Sequence, residues 1–215
     1  LKRVQMSSCR RQDFMEYLKK IEDLEPLYGP ASEGARRKGS DHLTPLYSRW
    51  ISESKFCVMA TVGKEGTDVS PRGDDGPVVR IHDPKTLMMP DWRGNNRLDS
   101  LRNIVEDGRI SLMFMHAGVK DVVRVNGLAR LTTDTTLCQS FAHNGHSPKC
   151  VIEITVAEVY IHCPKSVIRS KLWNSDTPID VPTIGDILKE VTKNDIGGSA
   201  YDADLSQRAL TTLWS

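Results

Sequence analysis

A charge surplus of either sign is missing from this sequence: 29 basic residues face 28 acidic ones over 215 positions, a formal net charge of +1. Proteins that grip a nucleic-acid backbone carry a basic field, so that class of partner is disfavoured. Long apolar runs are missing too. No stretch approaches the roughly 20 residues of a bilayer-spanning helix. The first residues, Leu1-Lys2-Arg3-Val4-Gln5, have no apolar signal-peptide core, and the expectation is a cytoplasmic protein with no membrane partner. Cysteine is sparse in both number and pattern. Cys9, Cys57, Cys138, Cys150 and Cys163 are odd in number, widely spaced and never in a C-x-x-C pair, which speaks against a disulfide framework or a zinc ribbon. Internal repeats and low-complexity tracts are absent, as is the regular strand-helix alternation of a Rossmann fold. What remains, 27% charged and 39% apolar residues, is the make-up of an ordinary globular domain that buries a core without staples.

The period of the apolar pattern changes along the chain. Over residues 11–27, Phe14, Tyr17, Leu18, Ile21 and Leu24 recur at three and four, predicting an amphipathic helix that ends near Pro26 and the Tyr28-Gly29-Pro30 break. Leu43, Leu46, Tyr47, Trp50 and Ile51 make a second helical stripe, with Thr44 as N-cap and Pro45 in the first turn. From Phe56 the texture is β. Residues 56–62 and 67–70 read as a hairpin about Gly63-Lys64-Glu65-Gly66, and residues 78–82 and 86–89 as another about Asp83-Pro84-Lys85. One helix interrupts: Leu98, Leu101, Ile104 and Val105 share a face, Asn96 stands as cap three residues before Asp99, and Gly108 supplies a left-handed stop. Residues 109–115, 122–132 and 150–162 read as three further strands, with Gly127 marking a bulge. The Met88-Met89 and Met113-Phe114-Met115 runs read as core. Residues 164–173 then form a short helix, Thr183-x-x-Asp186 opens another through Ile187, Leu188 and Val191, and the polar tail from Asn194 reads as loosely held.

The expected fold class is mainly β with peripheral α: six to seven antiparallel strands closed into a small barrel, which removes exposed edges. The expected organisation is a helical extension over residues 1–55, the barrel over 56–163 and a C-terminal helical segment over 164–215.

Two segments carry most of the chemistry. Asp91-Trp92-Arg93-Gly94-Asn95-Asn96-Arg97 lies between a strand and a helix N-terminus, where free backbone N–H groups and the helix dipole favour an anion, and Arg93 and Arg97 add positive charge beside two amides. A phosphate suits such a place; so does a plain surface turn capped by Asn96. The second segment, Asp68-Val69-Ser70-Pro71-Arg72-Gly73-Asp74-Asp75-Gly76-Pro77, leaves a strand with two glycines and two prolines. It exposes backbone groups able to line the edge of a planar heterocycle, with Arg72 near an electron-rich ring or an anion. His143, His146 and Cys150 have zinc-like spacing but no fourth ligand, so no metal is expected. His162 at a strand end reads as a hydrogen-bonded structural group.

Both segments, in this order, resemble the pyridoxamine 5′-phosphate oxidase class of flavoproteins. The likeness runs over residues 56–162 and includes Ser70-Pro71-Arg72-Gly73-Asp74, Pro90-Asp91 with Gly94-Asn95-Asn96-Arg97, Arg124-Val125-Asn126-Gly127, and the stretch from Ile161-His162-Cys163-Pro164-Lys165 to Arg169 and Trp173. The resemblance implies an FMN-binding split β-barrel and a homodimer with flavin at the subunit interface. It implies that Asn96 and Arg97 bind the FMN phosphate with Arg93 and Asn95 beside them, and that Ser70, Pro71, Arg72 and Gly73 line the isoalloxazine ring. Pro90 and Asp91 border the flavin and Arg124 contacts it, while Lys165, Arg169 and Trp173 reach it from the other subunit. The implied activity is FMN-dependent oxidoreduction of a small substrate. The Arg-x-His segment with which true pyridoxamine 5′-phosphate oxidases hold their substrate has no counterpart after Trp173. A non-enzymatic flavin or haem binding or sensing protein on the same fold, or one using a deazaflavin, is the alternative.

Overall fold

Seven strands supply the frame, most of them formed where buried and exposed residues alternate. The computed structural model describes residues 16–174 and 179–214, in two compact units, Leu1–Arg37 and Lys38–Ser215. The first unit holds α1 (Ile21–Leu24), a 3-10 turn at Glu25–Leu27 and α2 (Glu33–Arg37) among its described residues. Among the described residues, the helix expected over residues 11–27 is present only in its last turns. Phe14 lies outside the described residues, and residues 16–19 are not helical. Helix nucleation is costly enough that a short amphipathic stretch persists mainly where its face is packed, and Pro26 cannot continue the ladder.

In the second unit, α3 (Pro45–Ser52) starts where expected, with the Thr44 hydroxyl accepting from the Tyr47 N–H at 3.5 Å. Leu43 and Ile51 are buried. The Tyr47 hydroxyl donates to the Lys38 carbonyl at 2.6 Å and accepts from the Ile161 N–H at 3.1 Å, pinning this helix to the last strand. There follow β1 (Phe56–Gly63), β2 (Gly66–Gly73), β3 (Arg80–Asp83), β4 (Thr86–Pro90), α4 (Asp99–Glu106), β5 (Arg109–Met115), β6 (Val122–Thr132), α5 (Thr135–Ser140), β7 (Val151–His162), α6 (Lys165–Ser170), α7 (Ile184–Val191) and α8 (Ser199–Thr212). The strands pair antiparallel in the order β2-β1-β5-β6-β7-β4-β3. This is the mainly β split barrel with flanking helices. Its interior is filled from alternate positions by Met59, Leu87, Leu112, Phe114, Val125 and Ile154, with Ile104 of α4 packed among them. None of the described helices is long and apolar enough to cross a membrane.

Both hairpins and the three later strands fall where the alternation puts them. Several local expectations do not. The Ser70-Pro71-Arg72-Gly73 block continues β2, Pro71 standing opposite Val58, because an edge strand tolerates a residue without an N–H on its unpaired side. Asn96 does not cap α4. It takes a left-handed turn at φ 59°, and the cap position falls to Leu98 at φ 63° with no side-chain acceptor; asparagine enters that backbone region more cheaply than most residues. Val105 points outward, 74% exposed. Met89 and Phe114 are core, but Met88 packs outside it with Cys138 and Val151, and Met113 and Met115 face an outer groove. The tail is a helix: the Asp202 carboxylate of α8 accepts from the Thr183 hydroxyl at 2.6 Å and the Gly185 N–H at 2.8 Å, joining it to the capping box that opens α7.

The bulge expected at Gly127 is present. Pairing with β7 jumps from Asn126 opposite Glu158 to Gly127 opposite Val156, leaving Ala157 extra, and a Cβ on Gly127 would stand 2.1 Å from the Thr155 carbonyl oxygen. Gly127→Ala must push two paired strands apart, and a loss of about 2–3 kcal/mol is expected in urea unfolding, in the range of overpacked cores; an unchanged midpoint would contradict this close approach.

Candidate functional site

Strand β2 and the segment after β4 are distant in the sheet order, yet side chains join them. Asp68, Ser70 and Arg72 alternate onto one face of β2, as period two requires. Arg72 Nη1 donates to Asp91 Oδ1 at 2.6 Å, with the two side chains 20% and 17% exposed, and Arg72 Nε donates to Ser70 Oγ at 3.3 Å. Ser70 Oγ lies 3.1 Å from Ser100 Oγ, and the Ser100 hydroxyl donates to the Asp68 carboxylate. One residue past the strand, Asp74 accepts the Trp92 indole N–H at 2.7 Å on one oxygen and the Trp214 indole N–H at 3.3 Å on the other. The Trp214 ring lies 4.4 Å from that of His143, whose Nε2 is 3.5 Å from Asp75. The two blocks singled out in the sequence, thirteen residues and more apart, therefore form one seam.

Two thiols flank it. Burial pushes the Cys57 thiol up to about 12, with the positive charge of Arg72, its register neighbour, pulling the other way. Burial, and then the negative charge of Asp91, pushes Cys150 up to about 11. Asp91 is itself held just ahead of β7 by its N–H donating to the Cys150 carbonyl at 3.0 Å.

Beyond the seam, Arg93, Gly94, Asn95, Asn96 and Arg97 are all exposed. The Arg97 N–H donates to Asn95 Oδ1 at 3.1 Å and its Nε donates to Asp99 at 2.8 Å. That pair, with the Arg97 side chain 75% exposed, is readily exchanged for another anion, since exposed ion pairs are worth little. The loop ends at the uncapped start of α4, where backbone N–H groups have no side-chain acceptor.

Arg124 stands apart from this loop. Pro71, Val58, Met113, Arg124 and Tyr160 occupy one register row across β2, β1, β5, β6 and β7. Three inter-strand steps separate Pro71 from Arg124, roughly 14 Å. Arg124 packs over the Tyr160 ring at 5.2 Å and lines a groove of about 510 Å³ between the outer face of β1, β5 and β6 and helix α6. Lys165 and Arg169 lie on α6 and Trp173 just after it, all exposed, and the Trp173 indole donates to the Val119 carbonyl at 2.7 Å. Among the described residues none of these three bonds to Arg72, Asp91 or Arg97. His143 and His146 form an isolated backbone bridge, and no group of three or more described histidines, cysteines or carboxylates gathers as a metal site. The reading from sequence missed Ser100, Trp92, Trp214 and His143 as partners of the seam. Trp92 and Asp74 at least lie inside the two blocks; nothing local marks Trp214, 140 residues from Asp74.

Comparison with known proteins bears on the same region. A family model described as pyridoxamine 5′-phosphate oxidase matches residues 43–163, more than half of the chain. No curated protein matches. Among solved structures, HupZ of Group A Streptococcus is 21% identical, over 54% of this chain and 90% of that one, with a TM-score of 0.42. A pyridoxamine 5′-phosphate oxidase-like protein of Lactobacillus delbrueckii is 19% identical over 56% and 95%, TM-score 0.45, and an F420 reductase is 15% identical over 54% and 94%, TM-score 0.38.

Asp74→Ala leaves two indole donors without their acceptor, and a red-shifted tryptophan emission with about 1–3 kcal/mol lower stability is expected; wild-type emission would count against the double contact. The thiols give a second check. Only the thiolate reacts, so at pH 8 peptide-resolved alkylation should label exposed Cys163 well before buried Cys57 and Cys150. Equal rates in folded protein would contradict their raised positions.

Proposed function

The chain belongs to the pyridoxamine 5′-phosphate oxidase family, and on that premise we propose that it is an FMN-binding flavoprotein, an oxidoreductase acting on a small molecule. The observation that carries this reading is the exposed loop of Arg93, Asn95, Asn96 and Arg97 opening onto an uncapped helix start, braced from behind by the Arg72–Asp91 pair. The donor set fits the group. Two guanidinium groups, two carboxamides and unclaimed N–H groups all offer hydrogens to a phosphate, and the dipole of α4 adds a positive end.

In this reading Asn96 and Arg97 hold the phosphate, with Arg93 and Asn95 beside them, and the Arg97–Asp99 pair opens to admit it. Ser70, Pro71, Arg72 and Gly73 on β2, with Pro90 and Asp91, border the isoalloxazine ring. The half-buried ion pair keeps β2 at a fixed distance from Asp91, so the ring's edge meets a backbone that does not have to reorganise. Arg124 contributes a polar contact across the outer row. Lys165, Arg169 and Trp173, exposed on their own chain, act on the flavin of a partner subunit in a homodimer. Bound flavin supplies hydride or electron transfer at its ring, and these residues bind, orient and shield it.

Flavin fluorescence titration tests the assignment. A charge-assisted contact to phosphate is worth about 1.5–3 kcal/mol, so Arg97→Ala should weaken FMN about 10- to 100-fold. Equal affinity in the variant would remove Arg97 from the phosphate site. A Soret band on haem addition, with no flavin bound, would favour the haem alternative instead.

A further inference from the structure

Resting on the flavin reading, we infer that the groove between the outer face of β1, β5 and β6 and helix α6 is the pocket for the flavin's reaction partner, and that this partner is a small, largely apolar molecule bearing one acidic group. The volume, about 510 Å³, lies within the range of ordinary small-molecule sites. Its walls are mostly hydrocarbon and thioether: Val58, Ala60, Met113, Met115 and Leu172. It adjoins the proposed ring site at one point, Val58 in the groove being the register partner of Pro71 on β2, on the face of that strand opposite Ser70 and Arg72.

Three serines, Ser111, Ser166 and Ser170, and two nitrogen-bearing side chains, Arg124 and His162, break the apolar lining, and the last two point to an anion. Arg124 is half-buried. Arg72, Arg97, Arg109 and Arg130 each pair with a carboxylate, whereas among the described residues Arg124 packs on the Tyr160 ring with no carboxylate within ion-pair distance. A guanidinium drawn partly out of water without a counter-ion raises the free energy of the empty groove, and a ligand carboxylate relieves it. His162 lines the same groove. It sits two positions beyond Tyr160, the register partner of Arg124, which puts it diagonally across from that arginine on the same face. Its Nδ1 is buried and has no partner. The imidazole brings a second group able to donate a hydrogen bond beside the guanidinium. An apolar body and a single carboxylate match that combination of wall and donors.

The test uses the full chain saturated with FMN and two isosteric probes, 2-naphthoate and 2-naphthamide, followed by calorimetry and by changes in the flavin absorption bands. Naphthoate is expected to bind with FMN still in place, about tenfold or more tighter than naphthamide, the equivalent of one charge-assisted contact. Arg124→Gln, its FMN affinity measured first and its flavin site then kept saturated because Arg124 also stands as a flavin contact, should bring the two probes to similar affinities, and Ser166→Trp, a change on the exposed side of the groove, should abolish both while FMN remains bound. Naphthoate displacing FMN, equal binding of the two probes by the unmodified protein, or no binding because a second copy covers the groove would each overturn the inference. If FMN itself fails to bind, the flavin reading falls, and the probes' charge preference, measured without flavin, still decides whether the groove is an anion pocket.

Discussion

The ion pair between Arg72 and Asp91 is the contact on which the arrangement of the candidate site depends, because the hydrogen-bonded sheet does not bring its two ends together. β2 is one edge of the seven-stranded order, and Asp91 follows β4 near the other. Backbone pairing fixes each strand only against its neighbours. Side chains must close the seam, and they do so with one half-buried charge pair, a serine-serine-aspartate chain and an aspartate shared by two indoles. Such a pair gives little net stability over a well-packed apolar pair, since desolvating both charges offsets most of their attraction. What it gives is position: either charge alone in that place would be strongly unfavourable, so the two segments stay in register.

The neighbouring thiols follow from the same environment. The interior that holds Arg72 against Asp91 also penalises the charged form of Cys57 and Cys150, and the two ends of the ion pair act on them in opposite senses, Arg72 lowering and Asp91 raising. A few residues on, where the chain returns to water, the electrostatics reverse. Arg93 and Arg97 are exposed, and the start of α4 is left uncapped. On the proposed flavin reading, this half-buried seam beside an open cationic loop would divide the work, fixed backbone along the ring and exchangeable charge at the phosphate.

Much of the architecture was legible because it rests on local rules. Alternation placed the strands, Thr44-Pro45 and Thr183-x-x-Asp186 placed two helix starts, and Gly127 announced a bulge that the close approach of Thr155 makes necessary. Where a residue obeys two local rules at once, the sequence misled. Asn96 can cap a helix or bend a loop, and the path from β4 into α4 selects the bend. Met88, Met113 and Met115 are apolar and were read as core, yet they face other surfaces of the same strands, since only closure of the sheet decides which side is inside. The tail after Asn194 looked loose because its glycines and polar residues hide a helix whose anchor, Asp202, finds its partners on a different element.

By itself, the sequence determined the strand and helix succession, the bulge, and two blocks rich in arginine, amide and glycine residues, because these depend on backbone preference and on residues near one another in the chain. Only the tertiary structure decided that the blocks meet, that Arg72 is committed to Asp91, that Trp214 and Trp92 share Asp74, and that Arg124 looks into a groove with His162. Those contacts join residues from about twenty to well over a hundred positions apart. Their energies come from burial and charge pairing that exist only once the sheet has curled and its edges have closed.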